Sequence, residues 1–369
     1  MAGNFKINNT LLPFSWIYER IVEFRNQLFD WGIIPSEEFP VPVISVGNLA
    51  VGGTGKTPHT EYLIRLLSKK YKVAVLSRGY KRKTKGFILA DESASSLKIG
   101  DEPFQMYRKF PDIVVAVDAN RKRGIKKLLN LPDNKRPEII LLDDAFQHRY
   151  VTPSLSILLT DSSRLFYEDR LLPAGRLREP AKNTSRANIV ICTKCLESFK
   201  PIDYRIITKN MELYPYQQLY FTSYLYKSLL PVFPSMNSTK KESIERLQKG
   251  HYSFVLVTGF ANPSGMIKYL EEYTSELHTL VYPDHHSFTG KDVAEITETF
   301  KGIQNHNKII ITSEKDAIRL MDTPAIPEEI KAALYYLPIE VVFNSDQENL
   351  FIQKIEKHVT DFTRNRILA

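Results

Sequence analysis

Short apolar runs alternate with helix-periodic segments through most of the chain. Runs of four to six mainly apolar residues at 41–46, 73–76, 114–117, 139–142, 155–159 and 189–192 each break into a polar or glycine-containing turn. Strands that read as continuous apolar stretches are buried on both faces, as in a parallel sheet. Segments such as 58–67 carry helix-like spacing between them. The pattern predicts an α/β fold with a doubly wound parallel sheet. A fresh set starts with Val255-Leu256-Val257-Thr258-Gly259 and a helix pattern over 263–273, followed by strands at 309–312 and 335–337. At 369 residues the chain is long for one domain and comfortable for two. The division expected is a larger domain over 36–220 and a smaller α/β domain over 221–369.

The first 35 residues follow another pattern. Pro13 and Ser15 make a helix start and Gly32 a stop. Between them Ile17, Ile21, Phe24, Leu28 and Trp31 recur at alternating spacings of four and three, and Phe14, Tyr18, Val22 and Phe29 widen the apolar face. Both tryptophans, Trp16 and Trp31, lie here. Such a face suits a bilayer interface. It suits a helix packed on a domain core equally well.

Composition narrows the class. With 43% hydrophobic and 25% charged residues, the chain has the makings of a soluble globular protein with a substantial core. No stretch reaches ~18 uninterrupted apolar residues, so no membrane span is expected. The N-terminus lacks the basic segment and long apolar run of a secretory signal. Cys192 and Cys195 form one C-x-x-C without a second pair or nearby histidines, which excludes a disulfide framework and disfavours zinc. Two packed thiols on a buried strand are the expectation, and low cysteine usage fits a reducing cytosol. The net charge of +8 includes the runs Lys81-Arg82-Lys83-Thr84-Lys85 and Arg121-Lys122-Arg123. Without interleaved aromatics these suit solvated faces, anionic headgroups or phosphorylated substrates rather than nucleic acid.

The strongest chemical signal is Ala50-Val51-Gly52-Gly53-Thr54-Gly55-Lys56-Thr57, set between a strand and a helix. Glycines let successive N–H groups point at phosphate oxygens, and the helix N-terminus adds positive potential. Lys56 can reach the β- and γ-phosphates and the Thr57 hydroxyl can ligate Mg²⁺. Ala50 replaces the glycine of the strict pattern. Downstream, four apolar residues end in Asp143-Asp144, a second signature of a P-loop NTPase-like fold, with a carboxylate at the sheet edge for Mg²⁺. Further polar clusters are weaker singly: Gly100-Asp101-Glu102-Pro103, the 143–148 segment ending in His148, the loop 172–180 with Arg176, Arg178 and Glu179, and Tyr282-Pro283-Asp284-His285-His286. Adjacent histidines point apart, so a shared metal is not expected. Lys315-Asp316 reads as a helix N-cap carboxylate.

Taken together, these motifs resemble the tetraacyldisaccharide 4′-kinase family of lipid A synthesis. The match includes Pro13-Phe14-Ser15-Trp16, Val46-Gly47-Asn48, residues 52–58, Ser77-Arg78-Gly79-Tyr80, the Asp101 and Asp143 clusters, residues 172–180, Asp284-His285 and Glu314-Lys315-Asp316-Ala317. Ala145, Arg176 and Lys81 depart from it. The resemblance implies transfer of the ATP γ-phosphoryl group to the 4′-hydroxyl of a tetraacylated glucosamine disaccharide 1-phosphate, giving the bis-phosphorylated lipid A precursor. Residues 50–57 would hold the phosphates with Lys56, and Thr57, Asp143, Asp144 and Glu179 would bind Mg²⁺. Arg178 would offset charge on the transferring group. Asp101 would accept the hydroxyl proton with His285 as its partner, the two assembled by domain closure. Arg78, Tyr80, Arg121 and His148 are expected substrate or nucleotide contacts. With a lipid substrate, the N-terminal helix becomes a docking element on the cytoplasmic face of a Gram-negative inner membrane, peripheral and with no obligate protein partner. The rival reading is a soluble P-loop NTPase switch without a lipid acceptor.

Overall fold

The computed structural model describes residues 7–236, 241–260, 263–323, 326–344 and 346–367. The expected 1–35 element therefore lies partly outside the described residues. The chain divides into two compact units, one of residues 1–224 with 341–369 and one of residues 225–340.

In the first unit, β1 (Val43–Asn48), β2 (Val73–Ser77), β3 (Ile88–Leu89), β4 (Val114–Val117), β5 (Ile139–Asp143), β6 (Leu155–Asp161), β7 (Ile189–Thr193) and β8 (Gln218–Tyr226) follow in order. The second unit is built on β9 (Leu230–Pro231), β10 (Ser253–Thr258), β11 (Leu277–Val281), β12 (Lys308–Ser313) and β13 (Leu334–Leu337). The chain then forms β14 (Ile339–Phe343). The larger sheet runs β14-β8-β7-β6-β1-β5-β2-β4-β3, the smaller β11-β10-β12-β13-β9. The pairs from β8 through β4 are parallel, as the apolar runs predicted.

Alternation along each central strand feeds two cores. Ile139 and Leu141 pack with Leu63, Ile64 and Leu67 of the helix Lys56–Leu67, while Ile140 and Leu142 pack with Ile125 and Leu128 of the helix Arg121–Leu129. This is helix cover on both faces of one sheet.

The expected 221–369 domain needs correction at its end. β14 joins the larger sheet beside β8, and the helix Gln347–Ile367 buries Phe351, Ile355 and Val359 in the first unit's core. The chain leaves the first unit along β8 and returns along β14.

Register places the chemistry. β1 is flanked by β5 and β6, with Val46 opposite Asp143. Asn48, Ser77, Asp143, Asp161 and Thr193 each close a parallel strand at its carboxyl end, where α/β sheets gather their ligand-binding groups.

Candidate active site

The glycine loop leaves β1 and turns into the helix that begins at Lys56. Gly52 (φ +118°) and Gly55 (φ +90°) are left-handed, and a Cβ on Gly55 would fall 2.0 Å from the Tyr224 hydroxyl. Only glycine fits there.

Around this loop the structure brings four polar side chains together. Lys56 Nζ lies 3.7 Å from Asp144 Oδ1 and 3.4 Å from Asn48 Oδ1. Arg178 donates to Asp144 Oδ1 at 3.0 Å and also to Asn48 Oδ1. Asn48, fully buried, donates from Nδ2 to Thr54 Oγ1 at 2.7 Å. The arginine is carried there by backbone pairing, with Arg178 N–H on the Leu49 carbonyl at 2.7 Å and Val51 N–H on the Arg176 carbonyl at 2.8 Å. The 172–180 loop is thus laced to the phosphate loop.

The two adjacent carboxylates live in different environments. Asp143 is buried, its Oδ2 accepting from Ser77 at 3.2 Å and its Oδ1 without a protein partner. Burial, then the charge of Asp144, pushes its carboxyl up to about 6. Burial pushes Asp144 up as well, but Lys56 and Arg178 more than offset it and hold this carboxyl below its ordinary value.

Arg121 is placed differently from the substrate contact expected of it. Arg121 is only 1% exposed, donating to the Asp118 carbonyl at 2.7 Å and the Asp143 carbonyl at 3.3 Å. Burial lowers its guanidinium to about 10, so it stays charged beneath the carboxylates. Burial, then the charge of Arg121, depresses His148 to about 4, so its imidazole is neutral at pH 7. Arg78 and Tyr80 are exposed, as a contact role requires. Asp101 opens the helix Asp101–Lys109 behind Gly100 (φ +94°), where a Cβ would come within 3.1 Å of the Tyr80 carbonyl. Asp101 and Tyr80 therefore share one corner.

Glu179 is held by its own set of partners. Buried at 1% exposure, it accepts from Asn183 at 2.8 Å, from Asn26 at 3.4 Å and from Arg186. Among the described residues no group of three His, Cys, Asp or Glu is arranged to hold a metal ion.

In the second unit His285 (φ +60°) has Nε2 3.1 Å from Lys315 Nζ and Nδ1 3.1 Å from the Arg319 guanidinium. Arg319 is itself fixed on Asp316 at 2.9 Å. Asp316 is not the N-cap expected of it. Ser313 caps the helix Glu314–Met321, and the buried Asp316 carboxylate accepts the Gly259 N–H at 2.9 Å. His285 and Lys315-Asp316 thus meet in one network.

Two further placements bear on the site. Cys192 and Cys195 are buried free thiols with sulfurs 4.0 Å apart, and the hydrogen bond from Cys195, with burial, pushes the Cys192 thiol up. Such thiols are poor nucleophiles. The helix Leu12–Asp30 turns Ser15, Tyr18 and Asn26 toward the protein: Ser15 donates to the Leu171 carbonyl at 3.0 Å and accepts from Ala174 N–H at 2.9 Å, and Tyr18 donates to the Arg178 carbonyl at 3.0 Å. Phe14, Trp16, Ile17, Ile21, Phe24 and Trp31 are exposed. Among the described residues no helix is long and apolar enough to cross a membrane.

Asn48 and Ser77 received no role from the motifs alone. Their signal was available, since each is the polar residue that closes an apolar run.

A family model described as tetraacyldisaccharide-1-P 4′-kinase matches residues 7–360. The chain belongs to that family. It is 53% identical to the tetraacyldisaccharide 4′-kinase of Parabacteroides distasonis, covering 98% of this chain and 97% of that one. Identity to the enzyme of the same name from Porphyromonas gingivalis is 43%, covering 95% and 97%. The crystal structure of LpxK from Aquifex aeolicus in complex with ATP matches with a TM-score of 0.72 at 29% identity, over 96% of this chain and 99% of that one.

Proposed function

We propose that this protein is an ATP-dependent lipid kinase that phosphorylates the 4′-hydroxyl of a tetraacylated glucosamine disaccharide 1-phosphate. Family membership supports the reaction, and the convergence of Lys56, Arg178, Asn48 and Asp144 beside the glycine loop is the observation that carries it. Phosphoryl transfer asks a protein mainly for positioning and charge neutralisation. Two cations anchored on one carboxylate supply both. A nucleotide switch would have the same loop but no use for Asp101 or His285.

In this reading residues 50–57 hold the ATP phosphates and Lys56 and Arg178 offset the charge that develops on the transferred group. Asp101 accepts the proton of the sugar hydroxyl, with His285 as its partner. Arg78 and Tyr80 meet the substrate from the corner shared with Asp101, the half-buried His148 is a further substrate or nucleotide contact, and Arg121 supports Asp143 through its backbone carbonyl. Mg²⁺ fits the residues present. The buried Asp143 Oδ1 has no protein partner, Asp144 and the Thr57 hydroxyl complete a set of oxygen donors, and Mg²⁺ usually takes one or two carboxylates plus phosphates and water. When bound it would neutralise phosphate charge. Glu179, whose buried Oε1 likewise has no protein partner, is the third acid that would serve the ion, directly or through water. The exposed stripe of the helix Leu12–Asp30 would rest on the headgroup region of the cytoplasmic leaflet of a Gram-negative inner membrane, with Trp16 and Trp31 at the interface.

The test is transfer of label from γ-labelled ATP to tetraacyldisaccharide 1-phosphate in mixed micelles. A labelled lipid is expected, with loss of at least about 100-fold in Lys56→Ala and in Asp101→Ala, the scale of a lost charge-stabilising or proton-accepting group. Free phosphate without labelled lipid would promote the NTPase switch instead.

A further inference from the structure

Three consecutive carbonyls of the glycine loop are held from outside by side chains of three other positions. Lys194 donates from Nζ to the Gly53 carbonyl and pairs with Asp161 at 2.6 Å. The Thr193 hydroxyl, wholly buried, donates to the Thr54 carbonyl at 2.9 Å and is shared with the Thr160 carbonyl at 3.2 Å. His59 Nδ1 lies 2.7 Å from the Gly55 carbonyl, and its Nε2 lies 3.0 Å from the Thr222 hydroxyl. A carbonyl only accepts, so the proton sits on Nδ1 and Nε2 accepts from Thr222.

The consequence follows from peptide planarity. In a trans peptide the C=O of one residue and the N–H of the next point in opposite directions. Fixing the Thr54 and Gly55 carbonyls outward therefore aims the Gly55 and Lys56 N–H groups to the inner side of the loop. The Thr54 N–H is turned back onto the Gly52 carbonyl at 3.0 Å. Lys194 takes its place only with a positive φ of 57°, an uncommon conformation for lysine.

We propose that Thr193 and His59 are positioning residues for nucleotide binding, holding the Thr54 and Gly55 carbonyls so that the Gly55 and Lys56 N–H groups stay aimed at the ATP phosphates, and that Lys194 supports them by fixing the Gly53 carbonyl where the loop turns. The inference rests on the reading of residues 50–57 as the ATP site. Thr193 and Lys194 lie at the end of β7, and Thr222 lies on β8, the strand that leads out of the first unit. The nucleotide loop is thereby keyed to the strand that carries the chain toward the His285 unit.

The test compares steady-state kinetics and direct ATP binding in Thr193→Val, an isosteric loss of the hydroxyl, and Thr193→Ser, which restores it. Thr193→Val is expected to raise KM for ATP and the ATP Kd about tenfold, equivalent to ~1.4 kcal/mol and the size of one buried hydrogen bond. KM for the lipid should stay within about twofold, and Thr193→Ser should recover most of the ATP affinity. Lys194→Met, at a partly exposed position that endangers folding less, should act in the same direction, with Lys194→Arg rescuing it. Unchanged ATP affinity in both Thr193→Val and Lys194→Met would overturn the proposal, as would an equal loss for ATP and lipid. Lys56→Met runs alongside. If it too leaves ATP binding intact, the reading of the loop has failed rather than the clamp.

Discussion

Two long helices of the first unit carry apolar stripes of similar spacing and treat them oppositely. In Gln347–Ile367, Phe351, Ile355 and Val359 are sealed into the main core, with Phe351 ringed by Tyr62, Tyr220 and Phe343. In Leu12–Asp30 the residues turned inward are Ser15, Asn26 and Phe29, and the stripe from Phe14 to Phe24 faces out, with Trp16 58% exposed. The first helix is held by hydrogen bonds to the 171–179 loop, the last by apolar burial. Helical periodicity reports that an apolar face exists. What covers that face depends on which neighbours offer matching polar or apolar groups. An exposed stripe of this size on a folded protein marks an interaction surface, and with a lipid substrate the membrane is the partner we propose for it.

Three variants test the contrast, and the largest effect belongs to the buried stripe. Phe351→Ala should destabilise the protein by about 3–5 kcal/mol in denaturant unfolding, as large-to-small changes in a closed aromatic core do. Replacing Phe14, Ile21 and Phe24 together by serine should leave stability within about 0.5 kcal/mol while cutting partitioning onto anionic phospholipid vesicles roughly 100-fold. A loss of stability like that of Phe351→Ala would show that the two stripes are alike and break the comparison. Ser15→Ala should be the mildest, about 1–2 kcal/mol for leaving the Leu171 carbonyl and Ala174 N–H without their partner. Its signature should be faster amide hydrogen exchange confined to Leu12–Asp30, with the core helix Gln347–Ile367 protected as before.

The central strands were legible because each must bury both faces, so β1, β2, β4, β5, β6 and β7 read as apolar runs, with ends within a few residues of those expected. The phosphate loop and Asp143-Asp144 were legible because their geometry is local, a turn between strand and helix and a carboxylate after a strand. β8 was not: Gln218–Tyr226 mixes buried and exposed positions, and its neighbour β14 lies more than a hundred residues away. Arg121 sits inside a basic run that reads as a solvated surface, yet it is buried against the site, held by two backbone carbonyls. Asn48 closes a strand in plain view, but its two jobs appear only once Thr54 and Arg178 are folded against it.

The sequence by itself determined the α/β class, the parallel sense of the buried strands, the glycine loop and the acids that close their strands. These are consequences of periodicity and of turns a few residues long. Tertiary structure decided which way the first helix turns its apolar face, where Arg121 is buried, that the last helix returns to the first unit, and which side chains hold the loop's carbonyls. Thr193 reaches Thr54 across 139 positions of chain. A contact of that separation leaves no local pattern, because it depends on strand order, and strand order is set by the packing of the whole sheet.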